Sequence, residues 1–323
     1  MDKRVYGVLG ISSIMGNWNA DFSGYPKTTS DGSTFGSDKA FKYPMKKMWE
    51  NEGEKVLYIK SMKISEDKKK NEVQLVPRSL KERYEYLFEG EDLKKCKDTA
   101  LVMRNLFKCI DVKNFGATFA EEGKNLSITG AVQFGQGFNK YEDTTPEEQQ
   151  ILSPFRDPKK TSKTEVEGDD QSQAEAKNST LGTKIVSNEA HYFYPFAINP
   201  IAYKEYTELK LTDGYTEDDY KRFKDTSLKA ATSYSTNSKM GCENEFGLFI
   251  ETESDLYLPD LSQYIEFEKT EDKNIIRITC SELINTLKDK IKSVEIYINP
   301  YTTKLESEIE GAKIYNIFTQ KEV

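Results

Sequence analysis

The stretch RVYGVLGISSIM, residues 4–15, decides how the rest of the chain must be arranged. Apolar residues occupy both parities, so a strand here has no polar side to give to water. Only a strand in the middle of a sheet, covered on both faces, satisfies that pattern. The character then changes at once. NWNADFSGYPKTTSDGSTFGSDKAFKYPMKK, residues 17–47, opens as a small, polar, turn-forming loop and closes among Lys39, Lys42, Lys46 and Lys47. Ser37 and Asp38 are natural cap residues for a helix from Lys39. Pro44 predicts that this helix is short or kinked. If it persists, Lys39, Lys42 and Lys46 stack on one face, being three and four apart.

Farther out, residues 55–64 (KVLYIKSMKI) alternate and predict a strand, while 79–89 and 92–108 carry helical spacing. Residues 126–138 (LSITGAVQFGQGF) alternate too. Ile128, Val132, Phe134 and Phe138 fall on one side; Thr129, Ala131, Gln133, Gly135 and Gly137 fall on the other. That second face is of the small, polar kind on which another backbone or a ligand lies. Between 157 and 180, apart from a proline, the apolar residues are Val166, Ala174 and Ala176. Such a segment cannot offset its own ordering entropy and predicts a mobile projection. A strand over 189–198 follows, then a helix opened by a Thr216–Asp219 capping box. A strand over 244–251 comes next. Strand 274–279, helix 282–292 capped by Ser281, and strand 293–298 then predict one compact strand–helix–strand unit. Strands interleaved with helices around one polar excursion give an α+β sheet fold with insertions.

Composition narrows the function. The 323 residues carry 46 basic and 54 acidic side chains, net charge -8. No run of eighteen apolar residues occurs, which predicts no membrane span, and the start has no cleavable-leader pattern. We expect a cytoplasmic protein. Cys96, Cys109, Cys242 and Cys280 are far apart, without a CxxC pair, so neither a disulfide framework nor a zinc knuckle is expected. The single histidine, His191, lies among the aromatic residues of HYFYPF and reads as a structural strand residue. No nucleophile elbow accompanies it.

The 17–47 stretch lacks GxxxxGK[ST], which excludes a phosphate loop of the nucleotide-hydrolase type. A looser possibility remains: a helix N-terminus and aligned lysines facing a polyanionic backbone. Between Asp38 and Lys70 there are ten lysines against six acids. A patch, not the net charge, would do the binding. Asp21, Asp31 and Asp38 have no spacing that fixes a metal and read as turn and cap residues.

Taken in order, the motifs resemble a known family. N-x-N-x-D-x-x-G-x-P-K over Asn17–Lys27, SDKAFK over 37–42, DVKNFGATFA over 111–120, ITGAVQFGQGFN over 128–139 and GTKIVSNEAHYFYPFAINP over 182–200 resemble the backbone subunit of CRISPR Cascade complexes. The wording is most similar to the type I-B branch of this repeat-associated RAMP superfamily. The resemblance implies one modified RNA-recognition, ferredoxin-like palm spanning 1–323. Helical fingers would be inserted over 20–100, and a β-hairpin thumb over 141–188 would carry the mobile segment 157–180. It further implies a non-catalytic subunit without cofactor or metal. Copies would polymerise along CRISPR RNA (crRNA) beside a small capping subunit and a large subunit, for RNA-guided targeting of DNA. Lys27, Ser37, Lys39, Lys42 and Lys46 would contact the RNA backbone, Asn17 and Asn19 would shape the groove, and Gln133 and Gln136 would lie near it. About four lysine–phosphate contacts would give a salt slope near -3. The competing expectation is a metal-dependent endoribonuclease of the same superfamily that cuts RNA through Asp21 or Asp31.

Overall fold

The computed structural model of the chain describes residues 1–67, 72–90, 92–156 and 179–323. In chain order the elements are β1 (Arg4–Gly16), β2 (Phe35–Gly36), α1 (Asp38–Asn51), β3 (Met62–Asp67), β4 (Glu72–Pro77), α2 (Leu80–Leu87), α3 (Thr99–Phe107) and α4 (Ile110–Phe115). Next come β5 (Gly116–Glu121), β6 (Lys124–Thr129), β7 (Val132–Phe134), β8 (Gly137–Asn139), β9 (Pro146–Arg156) and β10 (Ser179–Ile198). After α5 (Lys204–Glu208), α6 (Glu217–Ser227) and α7 (Ala230–Ser233), the chain ends with β11 (Cys242–Thr252), β12 (Ile265–Glu268), β13 (Asn274–Ile278), α8 (Ser281–Thr286), β14 (Ile291–Ile298), β15 (Thr303–Glu306) and β16 (Lys313–Asn316).

β1 sits inside a mixed sheet ordered β16-β14-β11-β1-β10-β8-β2, with β7 and β9 also paired to β10. Its alternation splits the interior. Val5, Leu9 and Ile11 enter one core with Phe41, Met45, Trp49, Tyr194 and Phe249. Tyr6 and Val8 enter a second core with Phe193, Phe246, Leu248, Ile250 and Ile276. Over residues 5–11 the stretch is therefore apolar on both faces because each face has its own core, whereas Ile14 and Met15 at its end are exposed. Burying one such side chain stabilises by roughly 2 kcal/mol, so a polar substitution at either parity of β1 is costly.

Four sequence expectations change. Residues 55–61 form no strand: Val56 and Leu57 are fully buried, and the Leu57 and Tyr58 N–H groups donate to the Asp111 carboxylate at 2.8 Å each instead of to a neighbouring strand. Of 92–108, only Thr99–Phe107 is helical, opened by Asp98, whose side chain accepts from Leu101 N. The 126–138 run breaks into β6, β7 and β8, so the two expected faces do not persist: Ala131 is buried and Phe138 is exposed. β13 pairs with β12 and β15 while β14 joins the large sheet, so 274–298 is not one unit. Its short helix takes Cys280 at the N-cap, and Ser281 instead accepts from Glu308 N at 3.1 Å. The Thr216–Asp219 capping box forms as read.

β9 and the first half of β10 make an antiparallel arm, from Pro146 opposite Ser187 to Arg156 opposite Ser179. Of the projection expected over 157–180, only Ser179 and Thr180 fall among the described residues. Two glycines, one in β8 and one between β7 and β8, explain the glycine-bearing face: a Cβ at Gly137 would lie 2.4 Å from the Tyr194 ring, and one at Gly135 would lie 2.6 Å from Pro195. Side chains of β10 cover that face.

Candidate nucleic-acid interface

The 17–37 loop is pinned at three points. Asn17 Nδ2 donates to Gly24 O at 2.8 Å and to Ile185 O, in the arm, at 3.1 Å. Trp18 Nε1 donates to Tyr194 OH at 2.6 Å. Asn19 Oδ1 accepts from Ser37 N at 2.8 Å. Asn17 is buried and Asn19 half-buried, and through these bonds both shape the loop. Lys239, from far along the chain, donates to Asn17 O at 2.7 Å and to Trp18 O, with its ammonium 5.5 Å over the Trp18 ring. Burial holds its pKa below the usual lysine value. No spacing in the sequence joins Lys239 to this loop, so sequence reading missed it.

The loop aspartates organise turns. Asp21 Oδ1 accepts from Ser23 N, Ser23 Oγ and Tyr25 N at 2.7–3.0 Å. Asp31 accepts from Thr29 Oγ1 and from Ser33 N; the Thr29 hydroxyl first, then Ser33, holds its carboxyl below the ordinary aspartate range. Among the described residues, no three His, Cys, Asp or Glu side chains stand close enough to share a metal ion.

Ser37 caps α1, its Oγ accepting from Ala40 N at 3.3 Å, and the helix continues through buried Pro44 to Asn51. The lysines on it do not share one environment. Lys39 is exposed, with no ion-pair partner among the described residues. Lys42 reaches Asp38 at 2.8 Å and lies over the rings of Phe115 and Phe134 at 5.1 and 5.8 Å. Lys46 turns farther inward, donating to Tyr58 O at 3.4 Å, with Asp111 at 3.9 Å and the Tyr58 and Phe115 rings beneath it. Burial pushes the Lys46 pKa down and the Asp111 pKa up, the attraction between them being the smaller effect. The expected open row of three lysines is thus one open lysine and two packed ones. The aromatic residues of α4 and β7, distant in sequence, cover the inner edge of the helix.

Lys27 is half-buried and without an ion pair among the described residues; its N–H donates to Asn19 O at 2.9 Å and its carbonyl accepts from Phe35 N at 2.9 Å. Antiparallel pairing of Gly36 with Gly137 sets exposed Gln136 opposite Ser37. The fold therefore gathers Lys27, Ser37, Lys39 and Gln136. Gln133 stands apart, lining a hollow of about 310 Å³ with Tyr6, Pro195 and Leu258, its Nε2 donating to Gly130 O at 2.8 Å. The loop also touches the arm, where Tyr25 OH donates to Glu148.

In class, this is an α+β protein on a large mixed sheet, with a lysine-bearing loop and helix start beside a projecting β-hairpin. The chain belongs to the CRISPR-associated protein Cas7 family, which residues 3–286 match. Its fold is similar to that of a solved chain from a "CRISPR RNA-guided surveillance complex, pre-nicking", at 15% identity over 97% of this chain and 96% of that one, TM-score 0.52. A chain from a "CRISPR RNA-guided surveillance complex" aligns at 16% identity over 92% and 91%, TM-score 0.42. No curated protein matches the sequence significantly. No helix among the described residues is long and apolar enough to cross a membrane.

Proposed function

We propose that this chain is the non-catalytic, crRNA-binding backbone subunit of a type I-B Cascade complex, acting in the cytoplasm. The observation that supports it most is the family match over residues 3–286, with Lys27 and Lys39, in the loop and at the helix start, free of ion pairs among the described residues. In this reading the sheet is the palm, the elements inserted after β2 are the fingers, and the β9–β10 arm is the thumb. Lys27, Lys39 and the capped start of α1 hold phosphates, which helix N-termini and free ammonium groups favour without reading sequence. Lys42, already bound to Asp38, contributes less, and Lys46 supports the floor. Copies line up along one RNA beside the capping and large subunits, and the guide's base pairing reads the target DNA.

The test is co-expression with a CRISPR array, followed by the absorbance ratio at 260 and 280 nm of the purified protein. Wild type should retain RNA, and Lys27→Glu with Lys39→Glu should lose it without a change in melting temperature. Protein free of RNA in the wild-type preparation would overturn the proposal. Incubating the assembled complex with complementary RNA and magnesium addresses catalysis: no regular cleavage is expected, and cutting abolished by Asp21→Ala would establish the endoribonuclease instead.

A further inference from the structure

Tyr43 is the residue of the 17–47 stretch that phosphate binding does not use. It projects from α1 one turn beyond Lys39, on the same face, and is 39% exposed. On one side its ring meets Tyr234 edge to face, centroids 5.5 Å apart and planes at 66°. An edge-to-face pair leaves at least one ring face uncovered. On its other side Tyr43 walls a hollow of about 310 Å³, shared with Tyr58, Lys60, Arg78 and Arg83, and no carboxylate lines it. That volume falls in the range of small-ligand sites.

The cations of the hollow differ. Arg83 is engaged by Glu50 at 3.0 Å and by Val56 O at 2.7 Å. Arg78 commits one nitrogen to Ser61 Oγ at 2.9 Å and to Met62 O, and its guanidinium lies 4.1 Å from the Tyr86 ring centroid. Neither Arg78 nor exposed Lys60 has a carboxylate partner among the described residues. Two uncompensated cations beside an aromatic ring suit a ligand that is an anion at one end and a flat ring at the other. A nucleotide is such a ligand, and stacking on an aromatic ring tolerates any base.

We infer that this hollow takes one unpaired nucleotide of the single strand, its base against Tyr43 and its phosphate toward Lys60 and Arg78. The inference rests on the RNA-binding reading above, since that reading puts the strand along α1 at Lys39. It adds a contact to the base itself.

The test compares the full chain bound to a single-stranded RNA of mixed sequence with the chain bound to an abasic ribose-phosphate strand of equal length. Tyr43→Ala should weaken RNA binding on the order of tenfold, as loss of one stacked base does, and leave the abasic strand unaffected. Tyr43→Trp should restore binding. Arg78→Gln should flatten the salt dependence on both strands by about 0.7 in log–log slope. If wild type binds neither strand, the RNA-binding reading fails before this one is reached. If wild type binds and Tyr43→Ala is unchanged, or weakens both strands alike, the base subsite is wrong while RNA binding stands. Photocrosslinking of wild type to 4-thiouridine RNA decides the matter without a variant: an adduct on Tyr43 or its neighbours in the hollow supports the site, and adducts elsewhere alone remove it.

Discussion

His191 is held between two carboxylates. Its Nδ1 lies 2.8 Å from Glu245, its Nε2 lies 3.0 Å from Glu189, and its ring stacks on Phe267 at 3.8 Å. Burial alone would lower its pKa, but the Glu245 and Glu189 carboxylates outweigh burial and raise it above the ordinary 6.5. Burial likewise opposes the Glu189 shift, yet the Lys269 ammonium and His191 hold that carboxyl below 4.5. The folded chain binds the imidazole proton more tightly than the unfolded chain does. Its contribution is therefore whole below about pH 6.5 and is lost as pH rises through the folded-state value. The Glu189 contribution is present above about pH 4.5 and lost in acid. Urea midpoints should accordingly be higher at pH 6 than at pH 8.5, and His191→Gln should flatten that slope while destabilising by about 3 kcal/mol at pH 6. Equal midpoints at the two pH values in wild type would show that the imidazole is not charged in the fold. A strand histidine was readable from HYFYPF, with Glu189 two positions away on the same strand; Glu245 was not, because it comes from another strand. Lys46 shows the same limit. Its spacing placed it with Lys39, but Asp111, 65 positions on, draws it inward.

At the scale of elements, the legible parts were those whose partners are local. The cap at Ser37 and the capping box at Thr216 need only neighbouring residues, and both form; β11 forms too, but it is buried on both faces where its sequence alternates. Residues 55–61 alternate well but are not a strand, because a carboxylate from α4 supplies the acceptor that a neighbouring strand would have supplied. The root of the arm is also built from distant pieces. Asn139 Oδ1 accepts from His191 N at 2.8 Å, and its Nδ2 donates to Thr144 Oγ1 at 2.8 Å. Thr144 Oγ1 donates to Glu189 O at 2.7 Å, while Asn188 Oδ1 accepts from Thr145 N at 2.7 Å. Asn139→Ala removes the acceptor of a buried strand and should cost about 2 kcal/mol. It should also speed amide exchange in 146–152 and 182–187 more than in β11. Exchange raised evenly across the sheet would mean that Asn139 supports the core and not the arm in particular.

Over the whole molecule, the question is how a chain of net charge -8 holds a polyanion. Many cations among the described residues are already neutralised in place: Lys113 by Asp213 and Asp219, Lys224 by Glu295, Arg277 by three glutamates. Lys27, Lys39, Lys60 and Arg78 are among the cations without a carboxylate partner in the described residues. Binding then depends on which cations lack partners, not on how many lysines a stretch contains. Counting the sequence gave Lys42 and Lys46 equal weight with Lys39, and the packing separates them. Each phosphate held by a free cation on a single strand contributes about -0.7 to the slope of log K against log salt concentration. Lys39→Gln should therefore reduce the steepness by about 0.7 per copy, whereas Lys46→Gln should leave the slope unchanged and lower the melting temperature, because Asp111 loses its cation. The measurement is fluorescence anisotropy on a strand short enough for one copy, from 50 to 300 mM salt. Longer strands add contacts between copies, so the slope per copy must be taken before that linkage contributes. Equal loss of slope in the two variants would show that α1 presents its lysines as one open face, and the packed arrangement of Lys46 would then not be the state that binds RNA.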